Sequence, residues 1–263
     1  MPTIKDITDY LESIAPAHLQ ESYDNAGLIV GHPDTEVTGV LTSLDCTETI
    51  IEEAVARGCN MVVAHHPIVF RGLKRLNGKN YVERTVIKAI KEGVAIYAIH
   101  TNLDNVRHRG VNERIAQRLG LEKLQLLAPK NEEGTVGSGM LGVLPEAKSE
   151  EEFLAHLRDR MGAKVVRHTE KLGKKITTVA VCGGSGGFLL PQAKAAGAEV
   201  FVTADYKYHE FFDADGEIMI CDIGHYESEQ FTTQLLAELL IEKFPTFAVL
   251  CTERITNPVR YFV

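Results

Sequence analysis

The sequence predicts an α/β protein, built as two pseudo-symmetric α/β lobes with a dinuclear metal site at strand C-terminal ends in the cleft between them. Three observations lead there. Short apolar runs alternate with stretches of helical apolar spacing along most of the 263 residues, the pattern of βαβ units and parallel sheets. Several of those runs end on a histidine or an aspartate, where open α/β sheets place their ligands. The plan of the first half also recurs in the second: "RGCNMVVAHH" (57–66) lies against "AGAEVFVTAD" (196–205). The expected lobes are 1–125, carrying His65, His66 and Asp104, and 126–263, carrying His225 and Glu229. The C-terminal part of the second is expected to pack back on the first.

The elements follow in order. Ile4, Ile7, Leu11 and Ile14 repeat at helical spacing, with Thr3 as N-cap and Pro16 beyond the end, so residues 3–14 form an amphipathic helix. The polar turn Tyr23-Asp24-Asn25 feeds a short strand that ends at Gly31. Val40-Leu41-Thr42-Ser43-Leu44 is a strand closing on Asp45, followed by a helix from Glu48 to Arg57 with Thr47 as cap and Gly58 as stop. Met61-Val62-Val63-Ala64 is a buried parallel strand running straight into His65-His66-Pro67. A helix over 81–92 and a strand over 94–99 then deliver His100-Thr101-Asn102-Leu103-Asp104.

Residues 128–175 say less. A strand near Met140–Leu144, a helix near Glu150–Met161 capped by Ser149 and a strand at Lys164–His168 are expected. Beyond them, Thr178–Val181 is a strand ending in the glycine loop Gly183–Gly187. The strand Glu199–Thr203 delivers Ala204-Asp205, and Ile218–Asp222 delivers Gly224-His225-Tyr226-Glu227-Ser228-Glu229, with a helix over 230–244.

Composition narrows the function classes. Hydrophobic content of 44% with 24% charged residues is ordinary for a packed globular chain. A formal net charge of −8 argues against a protein that wraps nucleic acid by neutralising phosphates. No apolar run approaches the ~20 residues of a membrane span, and Met1-Pro2-Thr3-Ile4-Lys5-Asp6 is not a basic-then-apolar leader. Five cysteines form no CxxC, which fits small core residues in a reducing, cytoplasmic setting.

Ligand-type residues gather at three strand exits: His65 and His66, Asp104, then His225 with Glu229. His225 and Glu229 stand four apart and share a face if a helix has begun. Imidazole with carboxylate suits zinc, iron, manganese or nickel, and no thiolate is placed for a structural zinc finger. Such a set suffices for two ions ~3.5–4 Å apart. Asp45 is a candidate to orient a ligand histidine or to serve the following helix start. His100, Lys207 and His209 are candidates to face a substrate, each with a plain surface or core role as its alternative. The glycine loop offers backbone N–H groups to an anion or simply makes a tight turn.

The segments "YDNAGLIVG", "NMVVAHHPIVF", "AIHTNLD", "VCGGSGG", "VTADYKYHE" and "DIGHYESE", in that order, closely resemble the YbgI-like dinuclear-metal family, whose members carry the label GTP cyclohydrolase 1 type 2 homologue. The resemblance implies His65, His66, Asp104, His225 and Glu229 as ligands of two divalent ions. It also implies two α/β lobes and a toroidal homohexamer built as a trimer of dimers. One departure is Ala204-Asp205, where relatives commonly show glycine-aspartate.

The function expected is a metal-dependent hydrolase, of cyclohydrolase or phosphoesterase type, acting on a small substrate. Its rival is a non-catalytic metal-handling or scaffold ring. A regulatory module binding nucleic acid suits the acidic charge poorly.

Overall fold

Thr3 opens the fold by capping a helix in both directions. Its hydroxyl accepts the Asp6 N–H at 3.2 Å and the Asp6 carboxylate accepts the Thr3 N–H at 2.7 Å, a reciprocal arrangement that satisfies two donors at the helix start. In the computed structural model, which describes residues 1–262, this helix is α1 (Ile4–Ile14). Then come β1 (Gly27–Val30), β2 (Val40–Ser43), α2 (Glu48–Ala56), β3 (Met61–Ala64), α3 (Tyr81–Glu92), β4 (Ala95–Ala98) and the single turn α4 (Thr101–Asp104). The chain continues through α5 (Val111–Arg118), β5 (Glu122–Pro129), β6 (Gly137–Lys148), α6 (Glu150–Met161), β7 (Arg167–His168), β8 (Ile176–Val181) and α7 (Leu190–Ala195). It ends with β9 (Val200–Thr203), β10 (Met219–Asp222), α8 (His225–Glu229), α9 (Thr232–Lys243) and β11 (Val249–Cys251).

The chain divides into two compact units. The first is Met1–Leu103 with Thr232–Arg260, and the second is Asp104–Phe231 with the chain end from Tyr261. The first unit holds a sheet of order β1-β4-β3-β2-β11, in which β11, β2, β3 and β4 run parallel and β1 runs antiparallel beside β4. Every residue of β2, β3 and β4 is buried, as befits parallel strands covered on both faces. Leu41, Val62 and Ile96 pack with Ile50, Ile51 and Ala54 of α2 and Val86 and Ala89 of α3. Each fully buried aliphatic side chain there contributes ~1.5–3 kcal/mol relative to exposure.

The second unit holds a sheet of order β5-β6-β8-β9-β10-β7. Its centre, β8, β9 and β10, is parallel, and its outer strands pair antiparallel. Phe201, Ala180 and Ile220 pack there with Leu189, Leu190 and Ala193. The predicted α/β class is therefore what the chain adopts, with three successive parallel strands at the heart of each unit.

Several expectations for single elements need correcting. The strand near Met140–Leu144 extends over twelve residues, Gly137–Lys148, because it pairs on both sides. The strand expected at Lys164–His168 shrinks to Arg167–His168, a short edge against β10. The helix expected over 230–244 is α9, Thr232–Lys243, and a separate short helix, α8, precedes it from His225. Residues 101–104, for which no element was expected, form a helical turn. Thr47 stands at the start of α2 but its hydroxyl meets the Thr49 hydroxyl at 3.0 Å instead of capping. Strands β5 and β11 had no counterpart in the sequence reading. Ser149 does cap α6, with Glu152 closing a second capping box. Cys46, Cys59, Cys182 and Cys221 are buried, Cys251 is half-buried, and all five are free thiols. Among the described residues no helix is long and apolar enough to cross a membrane.

Candidate metal centre

Parallel pairing in the first unit sets Ser43 beside Ala64, and Ala64 beside Ala98. The residues that leave these strands, Asp45, His65 with His66, and His100, therefore emerge along one sheet edge. β1 runs the other way with Gly27 opposite Ala98, so the residues before it, Asp24 and Asn25, reach the same edge.

Each histidine there has its Nδ1 held by an oxygen. His65 is fully buried and its Nδ1 lies 2.8 Å from the Ile99 carbonyl oxygen. A carbonyl can only accept, so that ring carries a proton on Nδ1 and donates it there. His66 Nδ1 lies 2.8 Å from Asp45 Oδ1, and the other Asp45 oxygen accepts the Thr256 hydroxyl at 2.6 Å. His100 Nδ1 lies 2.8 Å from Asp24 Oδ1. The Asp24 carboxylate also accepts the Thr101 N–H at 3.0 Å and the Thr101 hydroxyl. Burial alone would raise the Asp24 pKa, but the bonds from His100 and Thr101 outweigh it and hold it at about 2.

The three rings sit with centroids 4.9, 5.3 and 5.4 Å apart, and one nitrogen from each lies within 4.8 Å of the other two. A cavity of about 370 Å³ opens beside His66, lined by Asp45, Thr47, Pro67, Tyr81 and Thr256 among others.

In the second unit β8, β9 and β10 deliver Cys182-Gly183-Gly184, Ala204-Asp205 and Gly224-His225 along one edge. Because α8 starts at His225, that residue and Glu229 lie one turn apart, and His225 Nε2 stands 3.1 Å from Glu229 Oε2. Asp205 Oδ2 takes the other ring nitrogen at 2.7 Å. Burial works to lower the His225 pKa, but the two carboxylates prevail and raise it to about 11. Asp205 holds its place with a left-handed φ of 59°, which aspartate tolerates better than most residues. An Asp104 carboxylate oxygen lies within 4.8 Å of one from the buried Glu229.

The glycine loop shapes this side. Gly184 donates its N–H to Ser228 Oγ at 2.9 Å, and a Cβ there would fall 2.5 Å from Glu229 Oε1 and 3.2 Å from His225 Cε1. Asn112 ties the loop to Asp104: its Oδ1 accepts the Gly183 N–H at 3.0 Å and its Nδ2 donates to the Asp104 carbonyl at 3.1 Å.

This chemistry fits divalent cations. Imidazoles fixed through Nδ1 present Nε2 in the form that ligates metal. Two neighbouring carboxylates, one of them buried, gain most from a cation, because like charges at low dielectric repel.

Lys207 and His209 are placed differently. Lys207 is exposed and pairs with Glu210 at 3.5 Å. His209 packs against the rings of Tyr208 and Phe212 on the surface. Neither joins a group of potential ligand atoms among the described residues. Sequence reasoning gave no role to Asn112 or Ser228, and it did not foresee Asp24 as the partner of His100. The signal for Asp24 lay in the antiparallel register of β1 against β4, which a single sequence does not carry.

Comparison with known proteins gives a consistent answer. A family model described as Duf34/NIF3 (NGG1p interacting factor 3) matches residues 2–258. A Clostridium acetobutylicum protein named GTP cyclohydrolase 1 type 2 homolog is 32% identical over 228 residues, 86% of this chain and 85% of that protein. Among solved structures, the Staphylococcus aureus hypothetical protein SA1388 superposes with a TM-score of 0.93 at 30% identity, covering 100% of both chains. The protein ybgI, of unknown function, has the same fold with a TM-score of 0.84 at 21% identity, over 98% of this chain and 100% of that one.

Proposed function

The chain is a member of the Duf34/NIF3 family, and from that premise we propose that it binds two divalent cations through His65, His66, Asp104, His225 and Glu229 and hydrolyses a small substrate. The observation that carries the reading is the fixing of the imidazoles: His65, His66 and His225 each have Nδ1 against an oxygen, and His225 turns its Nε2 toward Glu229, at 3.1 Å. The name borne by curated relatives, GTP cyclohydrolase 1 type 2 homolog, makes ring-opening hydrolysis the first reaction to try.

When bound, the ions supply a Lewis acid that lowers the pKa of water toward neutrality. The remaining work belongs to the chain. Asp45, Asp205 and the Ile99 carbonyl hold the imidazole planes and keep their protons on Nδ1. Asp104 and Glu229 supply the negative charge that balances the cations. His100, with its Nδ1 proton fixed by Asp24, has Nε2 available to exchange a proton with substrate.

The test is turnover by protein loaded with manganese, zinc or iron against a panel of phosphoesters, GTP and cyclic amides. The expected result is activity in at least one loading that falls at least a hundredfold in His65→Ala. Loaded protein that turns over nothing in the panel contradicts the hydrolase, and retained metal would then favour the metal-handling ring.

A further inference from the structure

The segment between β3 and α3 carries a feature that the metal centre does not use. After His66-Pro67-Ile68 the chain presents Phe70, Arg71, Lys74, Arg75 and Lys79, all exposed. Other basic side chains of this unit have acidic partners: Arg57 pairs with Glu53, Arg84 with Glu48 and Lys88 with Glu52. Among the described residues, none of Arg71, Lys74, Arg75 and Lys79 pairs with an acidic side chain. Four exposed cations within nine residues, of which Lys79 has Glu83 nearby, form a local reversal of sign on a chain of net charge −8.

The loop is held at both ends. Asn25 Nδ2 donates to the Val69 carbonyl at 2.6 Å. At the far end the Glu83 carboxylate accepts the backbone N–H groups of Asn77 at 3.2 Å and Lys79 at 2.9 Å. The basic stretch is thus displayed from fixed anchors, which lowers the ordering cost of binding.

Beside it runs a line of rings that reaches the imidazole cluster. The Phe70 ring centroid is 6.0 Å from that of His100 in an edge-on arrangement, and Tyr23 is tilted against Phe70 at 6.2 Å. Tyr23 is 63% exposed and Phe70 45%, and Phe70 stands next to His100. Exposed aromatic faces accept planar rings by stacking, and guanidinium groups suit phosphate oxygens.

We infer that Tyr23, Phe70 and the cations of the 71–79 loop are the substrate-recognition element of this centre, and that its ligand is a planar heteroaromatic ring bearing phosphate, a nucleotide. The ring lies on Phe70 and Tyr23, and the phosphates meet Arg71 and Arg75. Stacking reads any base by its π-face, so the site discriminates weakly among bases. The inference rests on the imidazole cluster being the reacting centre.

Calorimetric titration with the four ribonucleoside 5′-monophosphates, the matching nucleosides and inorganic phosphate tests it, on protein as purified and after chelator treatment. The four nucleotides are expected to bind within a few-fold of one another, and at least tenfold more tightly than nucleoside or phosphate alone. Phe70→Ala, and separately Arg71→Gln with Arg75→Gln, are each expected to weaken nucleotide binding about tenfold. Circular dichroism and metal content should stay unchanged in these variants. Absence of nucleotide binding, phosphate binding as tight as nucleotide, or variants that bind like the native chain would each overturn the inference. Elemental analysis of the same samples separates the two readings. Normal metal with no nucleotide binding sinks this inference alone, and nucleotide binding without metal sinks the metal centre alone.

Discussion

At Asp24 burial and hydrogen bonding oppose each other, and hydrogen bonding wins. The side chain is fully buried yet keeps its charge, because His100 and Thr101 surround it with donors that lower its pKa from 3.8 to about 2. A folded-state pKa below the unfolded one gives stability that is complete above the unfolded value and is lost as pH falls through the folded one. The window here runs from about pH 4 down to about pH 2, and the amount is of order 2 kcal/mol. Asp24→Asn should therefore flatten the acid limb of a stability–pH curve across that window, as read from denaturant midpoints. Parallel curves for the two proteins would show that Asp24 is not the group responsible. The same exchange leaves His100 without its anionic partner, so the ring loses the preference for a proton on Nδ1 that its proposed role needs.

Among the elements, the glycine loop after β8 has the sharpest consequence. Gly184 combines a φ of +60° with a Cβ position 2.5 Å from Glu229 Oε1, so Gly184→Ala strains the backbone and displaces a carboxylate together. Gly58, with a φ of +72° and nothing within 4 Å of its Cβ position, offers the matched control. Both substitutions should lower the melting temperature by the equivalent of about 1–2 kcal/mol. Gly184→Ala alone should also lower the metal content. Equal metal in both variants would remove Glu229 from the ligand set.

What the sequence made visible follows from the same physics. β3 was legible because it is an uninterrupted apolar run stopped by His65-His66-Pro67, and α6 because Ser149 and Glu152 spell a capping box. β5 was not, since Glu122-Lys123-Leu124-Gln125 mixes charge into the strand, with a positive φ at Lys123 and a register shift between Glu122 and Gln125. β11 is three half-buried residues whose strand character comes from pairing with β2, far off in the sequence. Within the candidate centre, the ligand-type residues stood out by type and spacing. The groups that orient them, such as Asp24 for His100 and Ser228 for Gly184, depend on register and loop geometry and left no pattern to read.

For the molecule as a whole, charge and family point in one direction. A net charge of −8 disfavours general affinity for polyanions, and among the described residues no helix is long and apolar enough to cross a membrane. The family resemblance supports self-association, and we expect light scattering to return about six times the chain mass at micromolar concentration. A monomer under the same conditions would contradict that expectation. Filter binding to single- or double-stranded DNA in moderate salt should be weak. Tight binding would favour a regulatory role over the hydrolase.

The central claim is that imidazoles and carboxylates far apart in the sequence hold two cations per chain. Elemental analysis of the purified protein beside its His66→Ala variant measures it most directly. The account predicts close to two transition-metal ions per chain in the native protein and a clear loss in the variant. A native protein free of metal after growth and reloading in zinc, iron and manganese, or a variant that holds as much as the native chain, would contradict it.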